Sequence, residues 1–225
     1  MSVLTSGLLA RLPWLDHGFG TRNTNLDQAQ MASLQQIHSN IARIADCAGR
    51  IGEGDALITR ASGVDVSIRT ADCFPILLAD PETRSVAAIH AGWRGTATRV
   101  VQSTLDQMRK EFGTDPANVY AAIGPGIGAC CYEVGMEVAR QFGMQEAGKL
   151  DLSVENRKQL ITAGVSPDGI ESVGGCTFCH PAQFFSWRRD HDPAGRMVSF
   201  IRVKKKLREK TLRARPAFDT CEPRP

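Results

Sequence analysis

Two short apolar runs, Phe74–Leu78 and Ser85–His90, stand on either side of the turn sequence Ala-Asp-Pro-Glu-Thr. Each has the length of one buried strand, and two such runs joined by a short turn predict a β-hairpin. Just before them, Val66 and Ile68 alternate with polar residues in Asp65–Ile68, which predicts another strand. From Thr96 the period changes. Val100, Val101, Leu105, Met108 and Phe112 recur at helical spacing, and Gly113 ends the run. A strand follows over Val119–Ile123 and runs into the glycine-rich segment GPGIGACCYEVG, with a helix near Met136–Phe142. A second helix is expected over Ser153–Ala163, with Ser153 as N-cap and Gly164 as its stop. Strands are expected near Ile170–Val173, Phe184–Arg188 and Met197–Val203, with a turn at His191–Gly195. Strands and helices mix without a strict βαβ rhythm. The fold class is therefore α+β rather than doubly wound α/β.

With 225 residues the chain can bury a proper core. It reads as one domain over residues 1–203 and a basic tail over 204–225. Hydrophobic residues at 42% and charged residues at 23% exclude a disordered chain. No apolar run reaches the roughly 18–20 residues of a membrane span, and the N-terminus lacks the basic and long apolar regions of a secretory signal. The net charge of +3 hides an asymmetry, because Arg202–Pro225 alone holds nine Lys/Arg against three Asp/Glu. Phe218 is that tail's only aromatic, so it offers little to stack on bases and reads as a solvated tail rather than a nucleic-acid arm. Seven cysteines, an odd number in a chain this long, point to a reduced, cytoplasmic setting with free thiols or metal ligands.

The densest chemistry lies in residues 70–95, which hold Asp72, Cys73, His90, Trp93 and Arg94, with His38 upstream in QQIHSN. A cysteine at one strand's start and a histidine at a neighbouring strand's end can converge, and His38 can complete a Cys-His-His set. Zinc accepts such donors and keeps a fourth position open. Gaps of 35 and 17 residues match no local zinc rule, so on spacing alone Cys73 reads as a small core residue and the histidines as satisfied polar groups. In AGWRGT, the helix start at Thr96 and the Arg94 guanidinium could hold an anion. CTFCH (176–180) contains one CxxC. A structural zinc would need two more ligands, such as Cys130 and Cys131, and the reading preferred is packing or an incidental pair. On the expected strand, Arg188 and Arg189 point to opposite faces, so at most one serves a given site.

QQIHSN, DALIT, TADCFPILLADP, AAIHAGWRGT, IGPGIGACCYEVG, CT and FFSWRRD…AGRM, in this order over about residues 16–203, together resemble the YfiH-like family, also called the laccase-domain or polyphenol oxidase family. TADC with HAGWRG carries most of the likeness. The resemblance implies a four-layer α/β/β/α sandwich with mixed sheets. It implies metal ligands at His38, Cys73 and His90, zinc as the ion with copper as the alternative, and purine nucleoside phosphorylase activity on adenosine, inosine and methylthioadenosine, with adenosine deaminase activity alongside. Some bacterial relatives are linked to editing of peptidoglycan precursors. Two departures from the family pattern stand out: only 12 residues separate HGFGTR from QQIHS, and Ser39 stands where relatives usually have glycine.

On this reading, the zinc lowers the pKa of bound water to about 7 for attack at purine C6, and Asp72 or Asp55 orients a ligand histidine or shuttles a proton. Arg94, Arg22 and the helix start at Thr96 hold phosphate near C1′ of the ribose. The expected partners are a purine nucleoside and phosphate, with no nucleic acid or membrane, for a monomer or homodimer. Three rivals remain. A copper-dependent, laccase-like oxidase needs many imidazoles, and this chain has five histidines with no His-Cys-His run. A cysteine hydrolase or amidase acting on peptidoglycan precursors would use a Cys73–His90 pair. A binding module with a closed structural zinc would need His17, Cys130 or Cys176 as a fourth ligand.

Overall fold

The computed structural model describes residues 3–192 and 194–205; most of the basic tail, from residue 206 onward, lies outside the described residues. Thirteen strands and six α-helices are present among them. The first strands are β1 (Leu15–Phe19), β2 (Met31–Gln35), β3 (Ala42–Ile44), β4 (Gly49–Glu53) and β5 (Ala56–Thr59). Next come β6 (Asp65–Thr70), β7 (Phe74–Asp80), β8 (Ser85–Ala91) and β9 (Tyr120–Ile123). The last are β10 (Glu133–Val134), β11 (Gly148–Lys149), β12 (Ile170–Ser172) and β13 (Met197–Val203). Helices α1 (Gly7–Ala10), α2 (Trp93–Ala97), α3 (Val100–Phe112), α4 (Met136–Gln141), α5 (Leu152–Thr162) and α6 (Trp187–Asp190) complete the set.

Two mixed sheets form an α+β sandwich. One has the order β1-β13-β6-β2-β4, the other β12-β9-β7-β8-β5-β3. Each contains parallel and antiparallel pairs, for example β2 parallel to β6 beside β6 antiparallel to β13. Strands β7 and β8 are buried along their whole length. Period-2 alternation explains this. Ile76, Leu78, Ala87 and Ile89 face a core built with Val101, Leu105 and Met108 of α3 and Leu160 of α5. Leu77, Ala79, Val86 and Ala88 face the other way, onto Val66 and Ile68 of β6 and Ile201 of β13. A strand covered on both faces reads as a continuous apolar run, which is what FPILLA and SVAAI are.

The predicted hairpin is present, with Phe74 opposite Ala91 and Pro75 opposite His90. Helix α3 ends at Gly113, whose φ of 77° is the left-handed conformation that glycine adopts without strain. Other expectations need correction. The helix begun at Thr96 is two pieces: α2 ends before Arg99, which takes φ 63° and resets the chain direction into α3. Helix α5 is capped by Asp151, whose carboxylate accepts from Ser153 and Val154 N–H, so Ser153 is inside the helix rather than its cap. The strand expected over Phe184–Arg188 does not form. Ser186 accepts a hydrogen bond from Arg189 N–H and starts the one-turn helix α6.

The packing predicts a clear contrast. Leu77→Ala, at a fully buried inter-sheet position, should lower unfolding free energy by about 2–5 kcal/mol in urea melts. Val154→Ala, on the exposed side of α5, should change it by no more than about 0.5 kcal/mol.

Candidate functional site

Strand register brings together residues that are distant in sequence. Because β7 and β8 run antiparallel, the residue before β7, Cys73, lies beside the end of β8, where His90 sits. Strand β5 pairs with β8 on the other side, Ala56 against Ile89, so Asp55 also arrives at this corner. His38 comes from the connection between β2 and β3, in the left-handed conformation at φ 60°. The donor atoms of His38, Cys73 and His90 all lie within 4.8 Å of one another. The two imidazoles meet edge to face with centroids 4.9 Å apart. Gly92 closes the corner from behind: a Cβ there would stand 2.8 Å from the Cys73 sulfur and 3.1 Å from His38 Cδ2.

Asp55 holds this arrangement. It is fully buried. Its Oδ1 lies 2.8 Å from His90 Nδ1 and accepts from His38 N–H at 3.0 Å. Its Oδ2 accepts from Ser39 Oγ at 2.7 Å and from the Ser39 and Ile37 N–H groups. Its carbonyl accepts His90 N–H at 2.7 Å. With Nδ1 committed to Asp55, His90 presents Nε2 to the sulfur. Burial opposes charge on both groups, but each stabilises the other. His90 and His38 lower the Cys73 thiol to about 6, and Cys73 with Asp55 raises His90 to about 9. A thiolate and two imidazoles that one atom can bridge suit a borderline-soft divalent ion. The same triplet without an ion is a thiolate–imidazolium pair backed by a carboxylate.

The triplet opens into a cavity of about 830 Å³, within the size of small-molecule sites. Five arginines line it: Arg50, Arg69, Arg94, Arg188 and Arg196. Three of them lie over aromatic rings, Arg94 over Trp93 at 4.2 Å, Arg188 over Tyr132 at 5.2 Å and Arg196 over Trp187 at 5.3 Å. Among the described residues, Asp72 is the only acid in the lining. The cavity therefore combines a positive field with flat apolar faces.

The expected site residues divide. Arg94 lines the cavity. Asp72 does too, but both its oxygens are engaged at 2.6 Å, one by Thr177 Oγ1 and one by Arg188 N–H; it ties the walls together, and Asp55 is the group that orients His90. Thr96 is fully buried, its hydroxyl bonded to Asn156 and its N–H to Gly92 O at 2.8 Å, so it cannot hold phosphate. Arg22 is not in the lining; it donates to Pro181 O and stacks 4.6 Å over Phe185. Arg188 and Arg189 do serve different places, through helical rather than strand geometry. Arg188 reaches the cavity, while Arg189 pairs with Asp190 at 2.7 Å. The basic and aromatic residues at 50, 69, 132, 187 and 196 escaped sequence reasoning. Only IGPGIGACCYEVG, FFSWRRD and AGRM signalled three of them, at 132, 187 and 196, as parts of longer motifs. The fourth-ligand candidates go elsewhere: His17 Nε2 accepts Ser6 N–H at 2.9 Å, and Cys130 and Cys176 join a separate cysteine group.

A family model described as "Multi-copper polyphenol oxidoreductase laccase" matches residues 20–204. A protein of Bacteroides thetaiotaomicron named purine nucleoside phosphorylase is 42% identical over 165 residues, 67% of this chain and 61% of that protein. Adenosine deaminase RL5, from an unknown prokaryotic organism, is 37% identical over 161 residues, 65% of this chain and 61% of that protein. The chain thus spans about three fifths of the length of each. Among solved structures, the Bacillus licheniformis hypothetical protein YfiH superposes with a TM-score of 0.78 at 27% identity, covering 85% of this chain and 94% of that one.

The charge pairing gives a pH prediction. In protein stripped of metal, alkylation of Cys73 by iodoacetamide, followed by peptide mass mapping, should stay fast down to about pH 6 and fall below it as the thiolate is protonated. His90→Ala removes the positive partner and should move the midpoint up towards the ordinary thiol value of about 8.5. Equal midpoints in the two proteins would contradict the pairing. Gly92→Ala should leave the fold intact and weaken metal retention at least tenfold, measured by competition with a chromogenic chelator.

Proposed function

The chain belongs to the multi-copper polyphenol oxidoreductase laccase family, and on that premise we propose that it is a zinc-dependent purine nucleoside phosphorylase with adenosine deaminase activity at the same site. Adenosine, inosine and methylthioadenosine are the nucleosides it takes, with phosphate as co-substrate. One observation carries the reading: the His38, Cys73 and His90 donors converge at a cavity lined by arginines and aromatic rings. An ion held by these three residues would supply Lewis acidity and one exchangeable position.

The protein's own groups divide the remaining work. Asp55 keeps the His90 proton on Nδ1 and fixes the ring. Trp93, Tyr132 and Trp187 offer faces for a purine, and burial holds the Tyr132 phenol in its neutral form by raising it to about 12. Arg94 and Arg188, both in the cavity lining, hold phosphate in bidentate fashion. In phosphorolysis a phosphate oxygen bonds to C1′ while the C1′–N9 bond breaks and its electron pair leaves with the base. In deamination water adds at C6 and ammonia leaves. Multicopper oxidation is disfavoured by the donor inventory. Of the five histidines only His38 and His90 converge; His17 and His180 are bonded to Ser6 N–H and Cys176 O, and His191 packs on Trp187.

The decisive assay offers adenosine and inosine with and without phosphate. Free base and ribose 1-phosphate should form only with phosphate, and inosine should appear from adenosine. His38→Ala, Cys73→Ala and His90→Ala should each lower both rates by at least a hundredfold; turnover surviving in metal-free variants would refute the reading. The Asp55–His90–Cys73 line also favours a second reading, a cysteine hydrolase or amidase. Activity that persists without metal and is abolished by thiol alkylation would select it.

A further inference from the structure

A second group of donors lies outside the cavity. The sulfurs of Cys130, Cys131, Cys176 and Cys179 all fall within 4.8 Å of one another, which overturns the expectation that CTFCH holds an incidental pair. We propose that these four cysteines form a closed tetrathiolate site for a zinc-class divalent ion, separate from the His-Cys-His triplet, whose role is to fix one wall of the cavity. Zinc–sulfur bonds of about 2.3 Å place tetrahedral sulfurs roughly 3.8 Å apart. The sulfur of Cys179 stands 3.7 Å from that of Cys130 and 3.3 Å from that of Cys131. Core packing does not account for the group, since Cys131 and Cys176 pack against the core but Cys130 and Cys179 are exposed.

The surrounding backbone is arranged as metal-thiolate sites require. Gly128 N–H donates to the Cys176 sulfur at 3.2 Å. The Gly128 carbonyl accepts from Cys131 and Tyr132 N–H at 2.9 and 3.0 Å, a tight turn that throws the adjacent Cys130 and Cys131 to one side. A Cβ on Gly128 would stand 3.3 Å from both the Cys130 sulfur and Cys176 Cβ. The two segments are stitched by the Gly126–Cys176 bridge and by Thr177 N–H to Gly126 O. Four thiolates around a divalent ion carry a net charge of −2. Arg189, donating to Thr177 O and Phe178 O at 3.0 Å, places on the loop between Cys176 and Cys179 a guanidinium that also pairs with Asp190.

The site joins the cavity directly. Tyr132, which lines it, follows Cys131, and Thr177, which bonds Asp72 beside Cys73, follows Cys176. Residues 126–132 and 176–180 therefore form one wall that the ion would lock.

The test is metal analysis of the full chain, reduced and reconstituted with zinc alone. Wild type should hold two equivalents. The His38→Ala/His90→Ala variant should keep one, and Cys176→Ser or Cys179→Ser should keep one while leaving the Cys73 site loaded. Should those serine variants fail to fold, wild type and the His38→Ala/His90→Ala variant loaded with cobalt(II) still decide. The intense thiolate-to-cobalt charge-transfer and visible bands of a tetrahedral tetrathiolate should appear in both. In the His38→Ala/His90→Ala variant zinc should also shield four thiols from Ellman's reagent and slow amide exchange over residues 126–132 and 176–180. No metal left in the His38→Ala/His90→Ala variant, or four thiols reacting freely in excess zinc, overturns the proposal. So does formation of disulfides among the four in place of zinc uptake after full reduction. None of these readouts depends on which reaction the cavity performs.

Discussion

A buried carboxylate, with no arginine or lysine against it among the described residues, organises the candidate site. Asp55 is fully buried, and its oxygens are satisfied by one imidazole, three backbone N–H groups and one hydroxyl. Desolvating a carboxylate costs several kcal/mol unless such partners are supplied. The supply here comes from residues 37–39 and from His90, so meeting the needs of Asp55 also sets the positions of the donors at 38 and 90. The unfavourable φ of His38 persists because the loop around it is held at several points.

The sandwich makes this possible by burying strands β7 and β8 on both faces. Their side chains are locked between α3 on one side and the partner sheet on the other, so the strand ends cannot shift relative to each other. A corner where β5, β8 and the start of β7 meet is therefore rigid, and a set of ligands placed there keeps its spacing without help from long side chains. The opposite wall, built from the 126–132 and 176–190 segments, has little regular structure and relies on hydrogen bonds such as those to Asp72.

Some of this was legible in the residues and some was not, for physical reasons. The β7–β8 hairpin and helix α3 were clear because apolar runs and a glycine stop are local signals. Strands β3 and β4 were invisible: they are short, largely exposed, and pair in parallel with distant partners. Helix α6 was misread as a strand because FFSW is aromatic and the cap at Ser186 stood in its middle. The convergence of residues 38, 73 and 90 was implied by motif resemblance and not by spacing, since register, which spacing does not encode, brings them together. Arg22 and Thr96 do not line the cavity, because one extends to Pro181 and Phe185 and the other is sealed inside. The four-cysteine group was raised as a possible zinc set and passed over, because a CC pair and a CxxC 45 residues apart carry no mutual spacing signal until the Gly126–Cys176 bridge closes.

The order of strands in the first sheet has a consequence for how the molecule comes into being. Strand β13, made near the end of the described chain, lies between β1 and β6, which are made early. While a ribosome is still extending the polypeptide, five of the six strands of the second sheet, all but β12, can assemble once residues up to about 123 have emerged, together with the corner that carries Asp55, Cys73 and His90. Strand β1 has no neighbouring strand to join until residue 203 is exposed. For the seconds that this takes, the edge of β6 that β13 will pair with is open, and a chaperone or a second nascent chain can compete for its backbone N–H and C=O groups before the last strand closes the gap.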